Sequence, residues 1–200
     1  MQSRSNVGRA ALVLLAAALI PIIPFAIIGE LPGERWLALS EGDALRFGAF
    51  GAGLLALDVF LPIPSSIIGA LLGGRLGFLA GFGWSFAGLC AGQALGYALG
   101  RLVPARFASE LPSAPTFALT FVSRPVPVLA EAVSIAAGVE RVSFLRFALA
   151  GALGNACYAG ALAADGAALL PDGLVGPGLI VPMLVPVLGY WLWRRLAPPR

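Results

Sequence analysis

Leu76–Gly100 is a run of 25 residues without a charge. A helix needs about 20 apolar residues to cross a bilayer. Ala10–Gly29 and Gly173–Trp193 also meet that length without a charge, and Phe144–Ala164 carries only Arg146, near its start. Hydrophobic residues make up 59% of the chain and charged residues 12%, against about 45–50% and about 25% in soluble domains. A soluble fold of this size cannot hide so much apolar surface. The chain is therefore expected to be an all-α, polytopic integral membrane protein forming one membrane domain over residues 1–200.

The same composition removes several chemistries. There is no His, and every one of the 13 basic residues is Arg. That excludes Ser-His-Asp and Cys-His hydrolases, Ser-Lys dyads, Walker A nucleotide sites, Schiff-base enzymes and His-ligated metals. No enzyme activity, cofactor or metal is expected, and no nucleic acid. The Arg residues sit at helix ends, the ordinary membrane pattern. Cys90 and Cys157 lie in apolar stretches and read as small buried hydrophobes, not a disulfide.

Two other apolar segments are too short to span and are broken by proline. Phe47–Leu61 contains Asp58 and ends at Pro62-Ile-Pro64; Ser65–Gly74 follows. Ala114–Ser123 runs into Arg124-Pro125-Val126-Pro127, and Val128–Gly138 follows. Each reads as helix, proline-enforced break and second helix: a re-entrant hairpin. The expected order is a first span at 10–29, hairpin plus span at 47–100, hairpin plus span at 114–164, and a last span at 173–193. Glu30–Arg46 is read as a polar connection and Asp165–Asp172 as a short acidic loop. Tyr190, Trp191 and Trp193 read as an aromatic anchor beside Arg194 and Arg195.

Charge segregation supports this layout. With both termini cytoplasmic, Arg4, Arg9, Arg101, Arg106, Arg124, Arg141, Arg146, Arg194, Arg195 and Arg200 fall inside; Arg35, Arg46 and Arg75 fall outside. Counting either hairpin as one full crossing destroys the bias. The units also resemble each other. Pro62-x-Pro64 recurs as Pro125-x-Pro127, and Arg75-Leu-Gly-Phe78 recurs as Arg141-Val-Ser-Phe144 at nearly the same sequence offset. With opposite orientations they form an inverted repeat, an architecture that places substrate sites at broken helices near the midplane. Glycines at every fourth position, from Gly69 to Gly81 and from Gly88 to Gly100, suit close packing within the fold; the alternative is a homo-oligomer interface.

Ionisable groups at membrane depth are costly and mark function. The candidates are Asp58, Arg124 and Glu131, against the alternative of a structural salt bridge or cap at a broken helix. Pro62, Pro64, Pro125 and Pro127 shape the breaks. Ser65, Ser66, Ser123 and Ser134 read mainly as caps, with Ser65, Ser66 and Arg141 as secondary binding candidates.

Asp58-Val-Phe-Leu-Pro62-Ile-Pro64-Ser-Ser resembles the acid-x-x-x-Pro-x-Pro segment of the DedA/VTT-domain family, also called the SNARE-associated Golgi protein family. Ser123-Arg124-Pro125-x-Pro127, and Gly138-Val-Glu-Arg141-Val-Ser-Phe144-x-x-Phe147 after it, resemble that family's second re-entrant segment and turn. The glycine-rich Gly88–Gly100 stretch with Tyr97 is also similar. The resemblance covers roughly Phe47–Ala164. It departs where Ser65 and Ser66 replace a Glu common after the first Pro-x-Pro, and where Ala130 replaces a second Arg, which places the chain nearer the broader VTT branch. The resemblance implies two facing re-entrant hairpins and lipid movement between leaflets. The expectation is a flippase- or scramblase-like lipid transporter of the bacterial inner membrane, acting on phospholipid or polyprenyl phosphate. Arg124 would engage a lipid phosphate, and Asp58 would pair with Arg124 or take up a proton. The alternatives are a proton-coupled transporter of small solutes or ions, and a non-catalytic scaffold or envelope-homeostasis factor.

Overall fold

A computed structural model describes residues 2–38, 43–108, 119–121, 123–124 and 128–169. The last expected span, 173–193, lies outside the described residues, as do Pro125 and Pro127. Every regular element among the described residues is helical: α1 (Gln2–Ile28), α2 (Gly33–Ala38), α3 (Ala44–Leu57), α4 (Ser65–Leu102), a 3-10 turn (Ala105–Phe107), α5 (Leu129–Val139) and α6 (Phe144–Leu169). Ser65–Leu102 and Phe144–Ala167 are long and apolar enough to cross a membrane.

Local chemistry sets most boundaries. Gly29 closes α1 with φ +74°, the left-handed conformation glycine adopts cheaply at helix ends. Asp43 opens α3 by accepting the Arg46 backbone N–H at 2.9 Å. Neither Pro62 nor Pro64 has an N–H to continue a helix, so α3 stops and α4 starts only at Ser65. Within α4, Gly77 has φ +77° and ψ 169°. The chain doubles back there into limbs 65–76 and 78–102, bringing Gly81 against Gly73.

The contacts define how these pieces run. Arg75 lies 4.2 Å over the Phe47 ring, and Gly51 faces Leu72, so α3 and limb 65–76 form an antiparallel helical hairpin. Gly48 meets Trp84, Gly88 meets Ala52 and Leu55, and Gly96 meets Val59; limb 78–102 therefore runs parallel to α3. Helix α6 runs antiparallel to that limb, with Gly160 near Phe82 and Gly151 against Gln93. The hairpin core holds Phe47, Leu54, Leu55, Ile63, Ile68 and Leu72, with Leu37 of α2. A second cluster packs Ala17 of α1 and Val59 on α5.

The two units share more than proline spacing. Gly88 packs against Leu55, and Gly154 packs against Phe121. The step along the sequence from Gly88 to Gly154, and from Leu55 to Phe121, is the same step that leads from Arg75 to Arg141. It also leads from Asp58 to Arg124.

Several expectations need correction. Asp165 is not in a loop: α6 continues to Leu169, because Gly166 lets it pack against the Ala70 backbone. The connection 30–46 contains the helix α2. Gly77 is a turn, not a packing glycine, and nothing approaches it. Cys90 is half-buried, and Cys157 is exposed. Cys157 continues the outward stripe of Leu145, Leu149 and Leu153, one residue in every four.

Candidate functional site

Part of the backbone at the first break is paired within the chain. The Leu57 carbonyl accepts the N–H groups of Phe60 at 2.9 Å and Leu61 at 3.0 Å. Pro64 accepts those of Ile67 and Ile68 at 3.0 and 3.1 Å, and Pro62 accepts Leu31 at 2.9 Å, tying the chain after α1 to the break. Asp58 stands at the C-terminal end of α3. Its carboxylate faces the Ser65 hydroxyl and the Ile63 backbone, and Ser65 also bonds Tyr158 of α6.

The second break is organised around Arg124, which is buried. Its Nε donates to the Thr120 carbonyl at 3.3 Å, and Nη1 donates to Asn155 Oδ1 at 3.3 Å. Its Nη2 donates to the Ala130 carbonyl at 3.0 Å and to Ser134 Oγ at 3.1 Å. Asn155 extends the chain of contacts: its Nδ2 donates to Gln93 Oε1 at 2.7 Å and to Cys90 Sγ at 3.4 Å. Gln93 in turn donates to the Phe147 carbonyl at 3.4 Å. Four of the five guanidinium N–H groups are thus given to protein acceptors, three of them on segments that meet at the break. Ser123 turns back on Thr120, its hydroxyl donating to that carbonyl at 3.2 Å.

Glu131, in the first turn of α5, is within electrostatic reach of both Asp58 and Arg124. Its Oε2 is closed to solvent and has no hydrogen-bond partner among the described residues. A buried acceptor left unpaired costs about 1–3 kcal/mol, more when charged, so this atom calls for a donor that the described residues do not supply. Val128, just before α5, holds φ +66°, a strained backbone for a β-branched residue.

Two cavities meet at the acids. One, of about 20 Å³, has room for about one water and touches Asp58, Gln93, Arg124, Glu131 and Ser134. The other, of about 330 Å³, lies between Pro21 and Phe25 of α1 and the break at Pro62–Ser66, with Glu30 also on its wall. Asp58 and Glu131 border both.

The structure therefore brings Asp58, Arg124 and Glu131 together, with Pro62, Pro64, Ser65 and Ser66 on the cavity wall. It does not pair Asp58 with Arg124. The carboxylate that Arg124 feels is Glu131, because the guanidinium is turned toward α6 and the start of α5. Arg141 is elsewhere: it has φ +57° and donates to the carbonyls of Arg101 at 3.0 Å and Val103 at 2.6 Å, capping the end of α4. Sequence reasoning missed Gln93, Asn155 and Tyr158. The available signal was scarcity: apart from Gln2 and Asn6 near the start, Gln93 and Asn155 are the only amide side chains in the sequence.

No known family model, curated protein or solved structure matches the chain.

Proposed function

We propose that the chain is a multi-pass protein of the bacterial inner membrane that moves lipid between leaflets without enzymatic chemistry. The observation that carries this reading is the cavity of about 330 Å³ with an apolar lip, Pro21 and Phe25, over a polar floor, Asp58 and Glu131. A head group fits such a space while its tails remain in the bilayer. The outer surface supports a lipid setting: Leu79 and Leu102 each expose 80% of their area and Ile27 exposes 78%, which a water-soluble protein avoids at this density.

The re-entrant arrangement has its own support. At about 1.5 Å per residue, the 14 residues of α3 reach about 21 Å, short of a hydrocarbon core of about 30 Å. The antiparallel pairing of α3 with limb 65–76 returns the chain to the side it came from. The antiparallel course of limb 78–102 and α6, and the common sequence offset between the units, support an inverted repeat. On this reading Arg124 is a fixed positive charge that braces the second break. It contacts a lipid phosphate only when some of its four protein contacts open. Asp58 and Glu131 are the groups left to meet the substrate or a proton.

The test is reconstitution of the whole chain into liposomes with tail-labelled lipids. Transbilayer movement, measured by one-sided quenching, is expected for the native protein and is expected to fall about tenfold or more in Glu131→Gln, the loss of one charge-assisted contact. No movement of any labelled lipid would reject the reading. The one-water cavity between Asp58, Glu131 and Arg124 favours a second reading, a proton-coupled transporter of small solutes. In that case the same liposomes dissipate a pH gradient when solute is added, and lipid does not move.

A further inference from the structure

We infer that a groove of about 390 Å³ between α1, α5 and the 3-10 turn seats one acyl chain of an anionic phospholipid, with the lipid phosphate on Arg106. The groove is separate from the acidic cavity at the first break. Helices α1 and α5 run antiparallel: Pro21 and Phe25, late in α1, lie with Val128 and Glu131 at the start of α5. Small residues bring the pair together, with Ala17, Ala132 and Ala136 in one core cluster. Beside that crossing the walls part. Leu12, Ala16 and Ile20 of α1 then face Ile135 and Val139 of α5, and Val103, across the groove.

Three observations select the occupant. The first is the setting. Leu12, Ala16 and Ile20 are exposed, so in a bilayer the groove opens to hydrocarbon. A gap there forfeits dispersion contacts, and a tail from the surrounding lipid fills it. The second is size. Leu12 and Ile20 are eight residues apart, about 12 Å along a helix. Half of a hydrocarbon core of about 30 Å is about 15 Å, so one chain of one leaflet lies along the groove. The third is charge, and it selects the head group, since tails alone choose no lipid. Among the described residues the wall carries one ionisable side chain, Arg106. Arg101 is exposed in the last turn of α4. Arg141 donates to the carbonyls of Arg101 and Val103, which sets its charge beside the Val103 wall. Glu140, next to Val139, is buried and is not on that wall. Basic pockets between spanning helices on the positively charged side are where anionic head groups bind. The five N–H donors of an arginine form a planar fork that suits phosphate oxygens, and they are enough to meet a phosphate alongside a contact within the chain.

The inference rests on the membrane reading above and not on lipid movement. The experiment uses the full chain in nanodiscs of phosphatidylcholine, whose phosphate is balanced by its own cation. Trace phosphatidylglycerol or phosphatidylcholine, each with the same photoreactive tail, is added, and labelled peptides are read by mass spectrometry. The anionic probe is expected to label 12–20 and 135–139 about tenfold more than the neutral one. Arg106→Gln is expected to cut that excess about fivefold, the worth of one arginine near an anionic head group, and Arg106→Lys to keep most of it. Ala16→Trp fills the groove from an exposed position and is expected to lower labelling by both probes. Should Arg106→Gln fail to fold, Arg106→Lys and Ala16→Trp decide. Equal labelling by the two probes, an excess unchanged in Arg106→Gln, or labelling that avoids both peptides overturns the inference and leaves the membrane reading standing. A dimer in the discs with neither peptide labelled assigns the groove to a second copy and also overturns it. A chain that does not enter the discs overturns both.

Discussion

Asp58 and Arg124 occupy corresponding places in the two units. Each stands three residues after the residue that packs on its unit's glycine, Leu55 on Gly88 and Phe121 on Gly154. Their surroundings are opposite. Arg124 gives four of its five N–H groups to two carbonyls, a hydroxyl and an amide. Asp58 faces one hydroxyl and the backbone, and borders two cavities beside the unpartnered Glu131 oxygen. The difference teaches how to sort buried charges. A charge whose hydrogen-bonding capacity is mostly taken up by the protein holds the protein together; one with more spare capacity on a cavity is open to a ligand.

The sharpest way to break this comparison is Arg124→Ala. It removes four hydrogen bonds at the junction of α5 and α6 and takes the Nη1 donor from Asn155 Oδ1, so stability should fall by about 3 kcal/mol or more, with lipid movement, on the proposed reading, lost as a consequence. Thermal unfolding in detergent reads this directly. An unchanged melting temperature would mean that these contacts brace nothing. Arg124→Lys should recover part of the loss, since three donors on a single nitrogen cannot reach all four acceptors.

Asn155→Leu should cost about 2 kcal/mol by the same measurement, because it leaves Arg124 Nη1 and Gln93 Oε1 unpaired inside the fold. On the open side, Glu131→Gln should change stability by less than about 1 kcal/mol while slowing lipid movement about tenfold, equal to about 1.4 kcal/mol. A large loss of stability in that variant would place Glu131 with Arg124 among the bracing groups. The smallest effect belongs to Val128→Gly, which relieves the strained φ and should shift stability by less than about 1 kcal/mol. The same substitution at Val133, buried within α5, should cost more than about 2 kcal/mol through lost packing and helix propensity. Similar melting shifts at the two positions would show that the backbone at Val128 is not strained.

Much of the helix layout was readable from periodicity-free cues: charge-free length, and prolines that cannot continue a helix. The break at Pro62–Pro64 falls where the sequence places it, since proline acts on its own backbone and needs no partner to do so. Asp165 was misplaced because an acid followed by glycine looks like a loop until Gly166 is seen to let Ala70 approach. The polar network failed to show for a related reason. Gln93 and Asn155 lie on different helices far apart in the chain, and nothing in a single sequence says which face of one helix meets which face of another. Asp58, Arg124 and Glu131 stood out because a charge in an apolar run is conspicuous by itself. Whether each is satisfied depends on neighbours that only the folded chain supplies.

The glycines along limb 78–102 have a mechanical meaning. Between Trp84, which lies on Gly48, and Val59, which lies on Gly96, the hairpin helix α3 meets Gly88 and Gly92 through backbone and Cβ atoms. Ordinary helix pairs interlock as ridges in grooves, and one helix must climb over the side chains of the other to shift along it. Here the glycines thin the teeth of that middle stretch, where Leu89 still packs on the hairpin core, so the tip that carries Asp58 meets a lower barrier to sliding than a full set of ridges would set.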